Sequence, residues 1–320
     1  MSAVGHFISS FATTTAGVVC NQAALASGVT LEFPLPRTWS LIGDIRVTVQ
    51  GLSSGDGVTH AELVEAITDF RIMTTKGTEV HFNSGLDLSK WSAWCMWGNN
   101  KIAAHRIGFA DDQAVAITYV YPLGLGVQKW YNGDGDFFGL PGHMADRLLI
   151  TFATNACFDN HLLTVEYDGI KDGPMPIHYQ CCDVYSYTAT AANQLNDIRL
   201  PEDALLRGVF AWSDINFNVD GIVTTLSTSM CQIVKSNRVV LETQPLTRQY
   251  GMQQLEVDDP VPGAEGGFYN LENDEHWFWD LDFGEGGHGY EIDADHAIRI
   301  RSGADDAVRI YRVYYSLTTA

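Results

Sequence analysis

The tightest restriction on the fold comes from apolar and polar residues that alternate at every second position, in short segments recurring along the chain. In DIRVTVQ, Ile45, Val47 and Val49 fall on one side and Arg46, Thr48 and Gln50 on the other. AIRIRS repeats the pattern with Ile298 and Ile300 against Arg299 and Arg301. Successive side chains leave a strand on opposite faces, so this period belongs to half-buried antiparallel strands. Further β-branched and aromatic segments follow at FRIMT, EVHF, AVAITYVY, RLLITFA, LLTVEY, GVFAW, CQIV, RVVLE, HWFWDLDF and VRIYRVYYS, with Gly, Asn, Asp and Pro between them. Long amphipathic helices are scarce. The expected class is all-β with few short helices, as a sandwich or jelly roll.

The segments also recur in order. DIRVTVQG leads to ITDFRIMTTKGTEVHF and then SGLDLSKWSAW, while LLRGVFAW leads to STSMCQIVKSNRVVLE and then TQPLTRQYGMQ. The hairpin turns fall at TTKGT around Gly77 and KSNR around Asn237, residues that tolerate positive φ. AVAITYVY, a glycine loop, LPGHMAD and RLLITFA then match HWFWDLDF, a glycine loop, EIDADH and AIRIRSG. Each half closes on one more strand, LLTVEY or VRIYRVYY. The expected division is an N-terminal arm over 1–29, a first sandwich over 30–170, a linker over 171–199 and a second sandwich over 200–320.

The formal net charge of −20 repels phosphates, so direct binding of nucleic acid through a basic surface is not expected. Residues 1–27 hold no Asp, Glu, Lys or Arg. They lack the basic start of a secretory signal and read as an arm, packed on the body or a neighbour or laid against lipid. The six cysteines form no C-x-x-C pair and read as mostly buried free thiols. No run reaches the length of a membrane-spanning helix.

The segments ITDFRIMTTKGTEVHFNSGLDL, LPGHMADRLLITF, IRLPEDALLRGVF and WFWDLDFGEGGHGYEIDADHAIRI, taken in order, resemble the double jelly-roll major capsid proteins of tailless icosahedral viruses, many of which contain a membrane. The resemblance covers roughly residues 30–320. It implies two consecutive jelly-roll β-sandwiches and a structural, non-enzymatic role. It also implies a homotrimer of pseudo-hexagonal outline that tiles an icosahedral shell around an internal membrane, with assembly in the host cytoplasm and residence in the virion. The implied partners are neighbouring trimers, vertex (penton) and minor capsid proteins, and lipid touched by the N-terminal arm. No cofactor is implied.

Three features suggest other chemistry. Asn132, Asp134 and Asp136 alternate in YNGDGDFFGLPGH like the oxygen ligands of a calcium loop, but His143 stands where the closing Glu is usual, and the glycines also suit an ordinary loop. The stretch from Glu272 to His296 carries nine carboxylates, enough to suggest a glycosidase pair. A period-two reading instead puts Trp277, Trp279, Leu281 and Phe283 on one face and Phe278, Asp280 and Asp282 on the other, so the acids point away from an aromatic face. His81, His143 and His178 show no metal-ligand spacing. The alternative function is a carbohydrate-active β-sandwich enzyme, or a sugar-binding module stacking on Trp91, Trp94, Trp97 or Trp277.

Overall fold

The computed structural model describes residues 12–21, 28–55, 58–97, 108–123, 139–153, 158–171, 178–188, 195–202, 204–213, 215–217, 223–226, 228–242, 276–281, 289–302 and 307–317. The chain divides into two compact units, with the main boundary between Asp183 and Val184. Unit 1 contains β1 (Ala12–Asn21), β2 (Thr30–Pro34), β3 (Trp39–Ser53), β4 (Ile67–Thr74), β5 (Gly77–Phe82), β6 (Ala114–Pro122), β7 (Ala145–Phe152) and β8 (Phe158–Lys171). They form two sheets in the orders β1-β8-β3-β6 and β2-β7-β4-β5. Unit 2 contains β9 (His178–Thr188, straddling the boundary), β10 (Leu195–Arg199), β11 (Ala204–Ser213), β12 (Thr228–Lys235), β13 (Arg238–Glu242), β14 (His276–Asp280), β15 (His296–Ser302) and β16 (Ala307–Leu317). Their orders are β9-β16-β11-β14 and β10-β15-β12-β13. Counted within each unit, both sets read first-eighth-third-sixth and second-seventh-fourth-fifth, which is the eight-stranded jelly roll. The fold is a double jelly roll.

The duplication extends to individual residue pairs. In the β4–β5 hairpin Arg71, Ile72, Met73 and Thr74 face His81, Val80, Thr78 and Gly77; in β12–β13 Gln232, Ile233, Val234 and Lys235 face Glu242, Leu241, Val239 and Arg238. Each hairpin leaves one extra residue unpaired at the same place, Glu79 or Val240, as a β-bulge. A second bulge recurs where Ile67↔Phe152 steps to Asp69↔Thr151 and Thr228↔Ser302 steps to Met230↔Arg301. Phe33 faces Leu148 and Ile198 faces Ile298 in the outer pairs. The backbone nitrogen of Leu35 donates to the Asp146 carbonyl at 3.0 Å, and that of Leu200 to the His296 carbonyl at 3.4 Å. Both leucines precede proline and both are buried.

The local causes are plain. Asn237 at φ 64 and Ser236 at φ 46 make the two-residue turn of β12–β13, whose twist matches the flanking strands. In β4–β5 the turn residues are Thr75 and Lys76, and the positive φ of 127 falls on the next residue, Gly77, at the start of β5. Between the sheets of unit 1 lie Ile45, Val47, Val49, Ile117, Tyr119, Tyr121, Leu163, Val165, Phe70, Ile72, Leu148 and Ile150, all buried. In unit 2 Val209, Ala211, Ile310, Cys231, Ile233, Ile298 and Ile300 are buried. Two short helices belong to unit 1: α1 (His60–Val64) and α2 (Gly85–Trp97). Ser84 caps α2, its hydroxyl accepting from the backbone nitrogens of Leu86 and Asp87 at 3.1 and 3.4 Å. A side chain at Gly85 would strike the Val64 carbonyl at 2.3 Å, so glycine permits the close approach of α1 and α2.

Two boundaries differ from the sequence reading. Ala12–Asn21, inside the stretch read as an arm, is an edge strand paired along its length with β8. The stretch 171–199, read as a linker, supplies β9 and β10. The Thr-rich β1 shows no alternation, and β10 buries only Ile198, so neither announces itself as a strand. The turn-rich flanks of 171–199 masked β9 in the same way.

Candidate functional site

The acid-rich stretch resolves into a turn that closes the second roll. Lys235 Nζ donates to Asp293 Oδ2 at 2.5 Å, the backbone nitrogen of Asp295 donates to Asp293 Oδ1 at 3.1 Å, and His296 Nδ1 lies 2.7 Å from the same oxygen. The Lys235 ammonium, with these donors, lowers the Asp293 carboxyl to about 2. The backbone nitrogen of Ser236 donates to the Asp295 carbonyl at 3.2 Å. Its unit 1 counterpart is Thr75 donating to Met144 at 2.9 Å, in a turn of Gly142, His143, Met144 and Ala145 that holds no carboxylate. The acids therefore occupy a turn that the fold also builds without acids. They latch the β12–β13 hairpin to the start of β15. Among the remaining acids of the stretch only Glu291 has a described side chain, and it is exposed.

A second polar knot joins two strands of the same sheet and the β12–β13 turn. Arg299 on β15 holds Asp197 on β10 through two hydrogen bonds of 2.7 Å and reaches Asn237 Oδ1 at 2.6 Å. The guanidinium lowers the Asp197 carboxyl below its ordinary value, and Asp197 raises Arg299 in return. In unit 1 Arg147 instead bonds Glu32 at 3.1 Å and Asp146 at 3.1 Å. These are structural pairings on solvated sheet faces.

His81 Nε2 sits 2.7 Å from Asp69 Oδ1, which also accepts from Arg71 at 3.0 Å. His143 is exposed and the His178 side chain lies outside the described residues. Among the described residues no group of three or more His, Cys, Asp or Glu is placed to hold a metal ion. Asn132, Asp134 and Asp136 lie outside them. Trp91, on α2, is fully buried and offers no stacking platform, which removes it from the sugar-binding alternative; the Trp94, Trp97 and Trp277 side chains lie outside the described residues. Trp279, expected on a buried aromatic face, is half-buried, while Leu281 is buried. Cys181, Cys182 and Cys231 are buried free thiols, as expected for those three.

The sequence reading missed what the structure displays at two equivalent strand edges. In unit 1 the stretch His178–Asp183 runs parallel beside β5, with Cys182 opposite Val80. The Tyr179 hydroxyl donates to Glu79, the bulge residue, and the Cys181 thiol points at the same oxygen from 3.8 Å. Burial raises Glu79, and burial also pushes up the Tyr179 hydroxyl and the Cys181 thiol. In unit 2 the corresponding edge strand β13 has no outer neighbour among the described residues. Its Val239 and Val240 are 49% and 43% exposed. The available signal was the pair itself. Two adjacent valines in RVVLE break the alternation, so one of them has to face outward. Backbone donors and acceptors along an open edge can bind a further strand; they supply no catalytic chemistry.

No protein-family profile and no curated protein matches the chain. Solved structures do. The chain is similar to the major capsid protein of STIV, with a TM-score of 0.64, 12% identity and coverage of 96% of this chain and 97% of that one. It is similar to the major capsid protein P2 of bacteriophage PM2, with a TM-score of 0.60, 10% identity and coverage of 96% and 98%. It is also similar to a chain of the PBCV-1 virus capsid, with a TM-score of 0.57, 11% identity and coverage of 97% and 96%. The likeness covers 96–97% of this chain, both jelly rolls included.

Proposed function

We propose that the chain is a structural major capsid protein whose trimers, pseudo-hexagonal because each copy contributes two like jelly rolls, tile an icosahedral virus shell. The observation that carries this reading is the residue-level duplication of the roll within one chain. The proteins it resembles over their whole length are named as capsid components. Two matched lobes in one chain let three copies present six similar flanks to a flat lattice. Neither a glycosidase nor a lectin needs a second copy of its sandwich in register. The acidic turn is a latch, so the reading needs no catalysis from it. With −20 charges per copy, the shell is held apart from the genome, and lattice contacts weaken as salt is lowered and screening fails. An internal membrane, vertex proteins and minor capsid proteins are the partners that this role calls for.

The test is direct. Purified full-length protein examined by size-exclusion chromatography with light scattering gives three times 35.3 kDa. Electron microscopy of the source material shows icosahedral particles with hexagonal capsomers. A stable monomer that cleaves glycans refutes the reading.

A further inference from the structure

The two hairpins β4–β5 and β12–β13 share one register and one bulge, yet their outer edges differ. Beside β5 lies a parallel strand, and the edge is closed: Val80 is 2% exposed and Glu79 is bonded by Tyr179. Beside β13 no strand lies among the described residues; the equivalent of the half-buried Glu79 is the exposed Val240 and that of the buried Val80 is the half-buried Leu241, while Val239 and its equivalent Thr78 are both exposed. An uncovered edge with apolar side chains is a template for strand addition.

The internal repeat says which strand belongs there. The strand that covers β5 is β9, the first strand of the second eight. Its counterpart in the first eight is β1. The His178–Asp183 stretch of β9 has β5 beside it within unit 1; β1 has β8 on one side and nothing on the other among the described residues. Among the described residues two complementary edges therefore stand without a neighbour, the outer side of β13 and the outer side of β1. Within the chain the same two positions, fifth strand and next first strand, are filled by each other.

We infer that β13 of one copy pairs in parallel with β1 of a second copy, repeating between chains the pairing of β5 with β9. The charge pattern suits it. No Asp, Glu, Lys or Arg occurs before Glu32, so β1 brings an uncharged backbone to an edge of valines on a chain that otherwise repels its copies. The contact uses a different surface on each partner. Head-to-tail contacts of that kind build rings when the rotation closes. The occupant is a second copy rather than a foreign peptide because every copy already brings the fitting strand, with no neighbour on that side among the described residues. The inference rests on the trimer reading above and specifies its seam.

Amide hydrogen exchange on the full-length protein, together with light scattering on the wild type and on V239K/V240K, tests it. Both valines are exposed, so the double variant is expected to keep its far-ultraviolet circular dichroism. The expected result is a wild-type trimer in which amides of residues 238–242 and of residues 12–16 are both protected, each exchanging about tenfold slower than in the variant. V239K/V240K sediments as a monomer at the same concentration. A wild-type trimer whose β13 amides exchange freely, or a folded variant that remains trimeric with β1 still protected, overturns the inference and leaves the capsid reading standing. A wild-type monomer overturns both. If the variant fails to fold, protection of the two strands in the wild-type trimer, read against the protein diluted to monomer, decides the question.

Discussion

Across the first sheet of unit 1, Arg46 on β3 faces Glu166 on β8 as an ion pair at 3.9 Å, and Thr48 bonds Thr118 at 3.0 Å. Across the first sheet of unit 2, Phe210 on β11 faces Tyr311 on β16, both fully buried, with ring centroids 5.7 Å apart. The strand orders are the same, and in both units the inward faces are apolar. The outward faces have diverged, because register and inward volume are constrained by the core while an outward residue answers only to what covers it. The same holds at the hairpin bulge, where Glu79 is bonded by Tyr179 and Val240 is 43% exposed. Duplication preserved the scaffold, and the surfaces specialised.

The largest expected effect tests whether the scaffold is equivalent in energy as well as in register. Ile72→Ala and Ile233→Ala remove matched buried side chains and each costs about 3 kcal/mol. Denaturant titration of the two variants, with exchange mass spectrometry assigning each loss to its unit, should give costs within about 1 kcal/mol of each other. A much smaller cost at one site means that roll packs less tightly than its twin.

The turns come next. Asn237→Ala takes a residue at φ 64 and its bond to Arg299 from the second hairpin and should cost about 1 kcal/mol, with Asn237→Gly recovering part of it. Gly77→Ala should cost about the same, from φ alone, since nothing lies within 4 Å of the added methyl. Thermal unfolding measures both. A neutral Gly77→Ala would show that only the second turn depends on its backbone conformation.

Removing the charge at Asp197 separates the polar knots. Asp197→Asn leaves Arg299 without its bidentate partner and costs up to about 1 kcal/mol, whereas Glu32→Gln on the more exposed pair should be close to neutral.

The smallest effect is in sign. Asp197 and Asp293 have folded pKa values below their unfolded ones. Their contribution is full above the ordinary carboxylate range and is lost as pH falls, for Asp293 down to about 2. Glu79 has a folded pKa above its unfolded one, so the folded state takes up its proton first and unit 1 gains stability as pH falls towards the ordinary range. Exchange protection, corrected for intrinsic rates, should rise in β5 and fall in the β12–β13 turn on acidification. Parallel changes in both would contradict the assignment.

Much of this was legible in the chain. The pairing of DIRVTVQG with LLRGVFAW, of TTKGT with KSNR, and of RLLITFA with AIRIRSG survives as third strand with third, hairpin with hairpin and seventh with seventh. Central strands alternate because one face must be buried against the opposite sheet, and that requirement is written at every second residue. β2 and β10 share the pattern of a single buried residue, Phe33 or Ile198, since each lies at a sheet edge. One buried position has no period, so only pairing with β7 and β15 makes them strands. The acids of Glu272–His296 read in sequence as outward-pointing rather than as a glycosidase pair; those of DADH find Lys235 and the hairpin turn only once β12 and β15 lie side by side. Local sequence determined where the chain turns and which faces are apolar, because those preferences act within a few residues. Tertiary structure alone decided which edges are covered and which remain open, because a strand's outer hydrogen bonds are made by a partner remote in the chain.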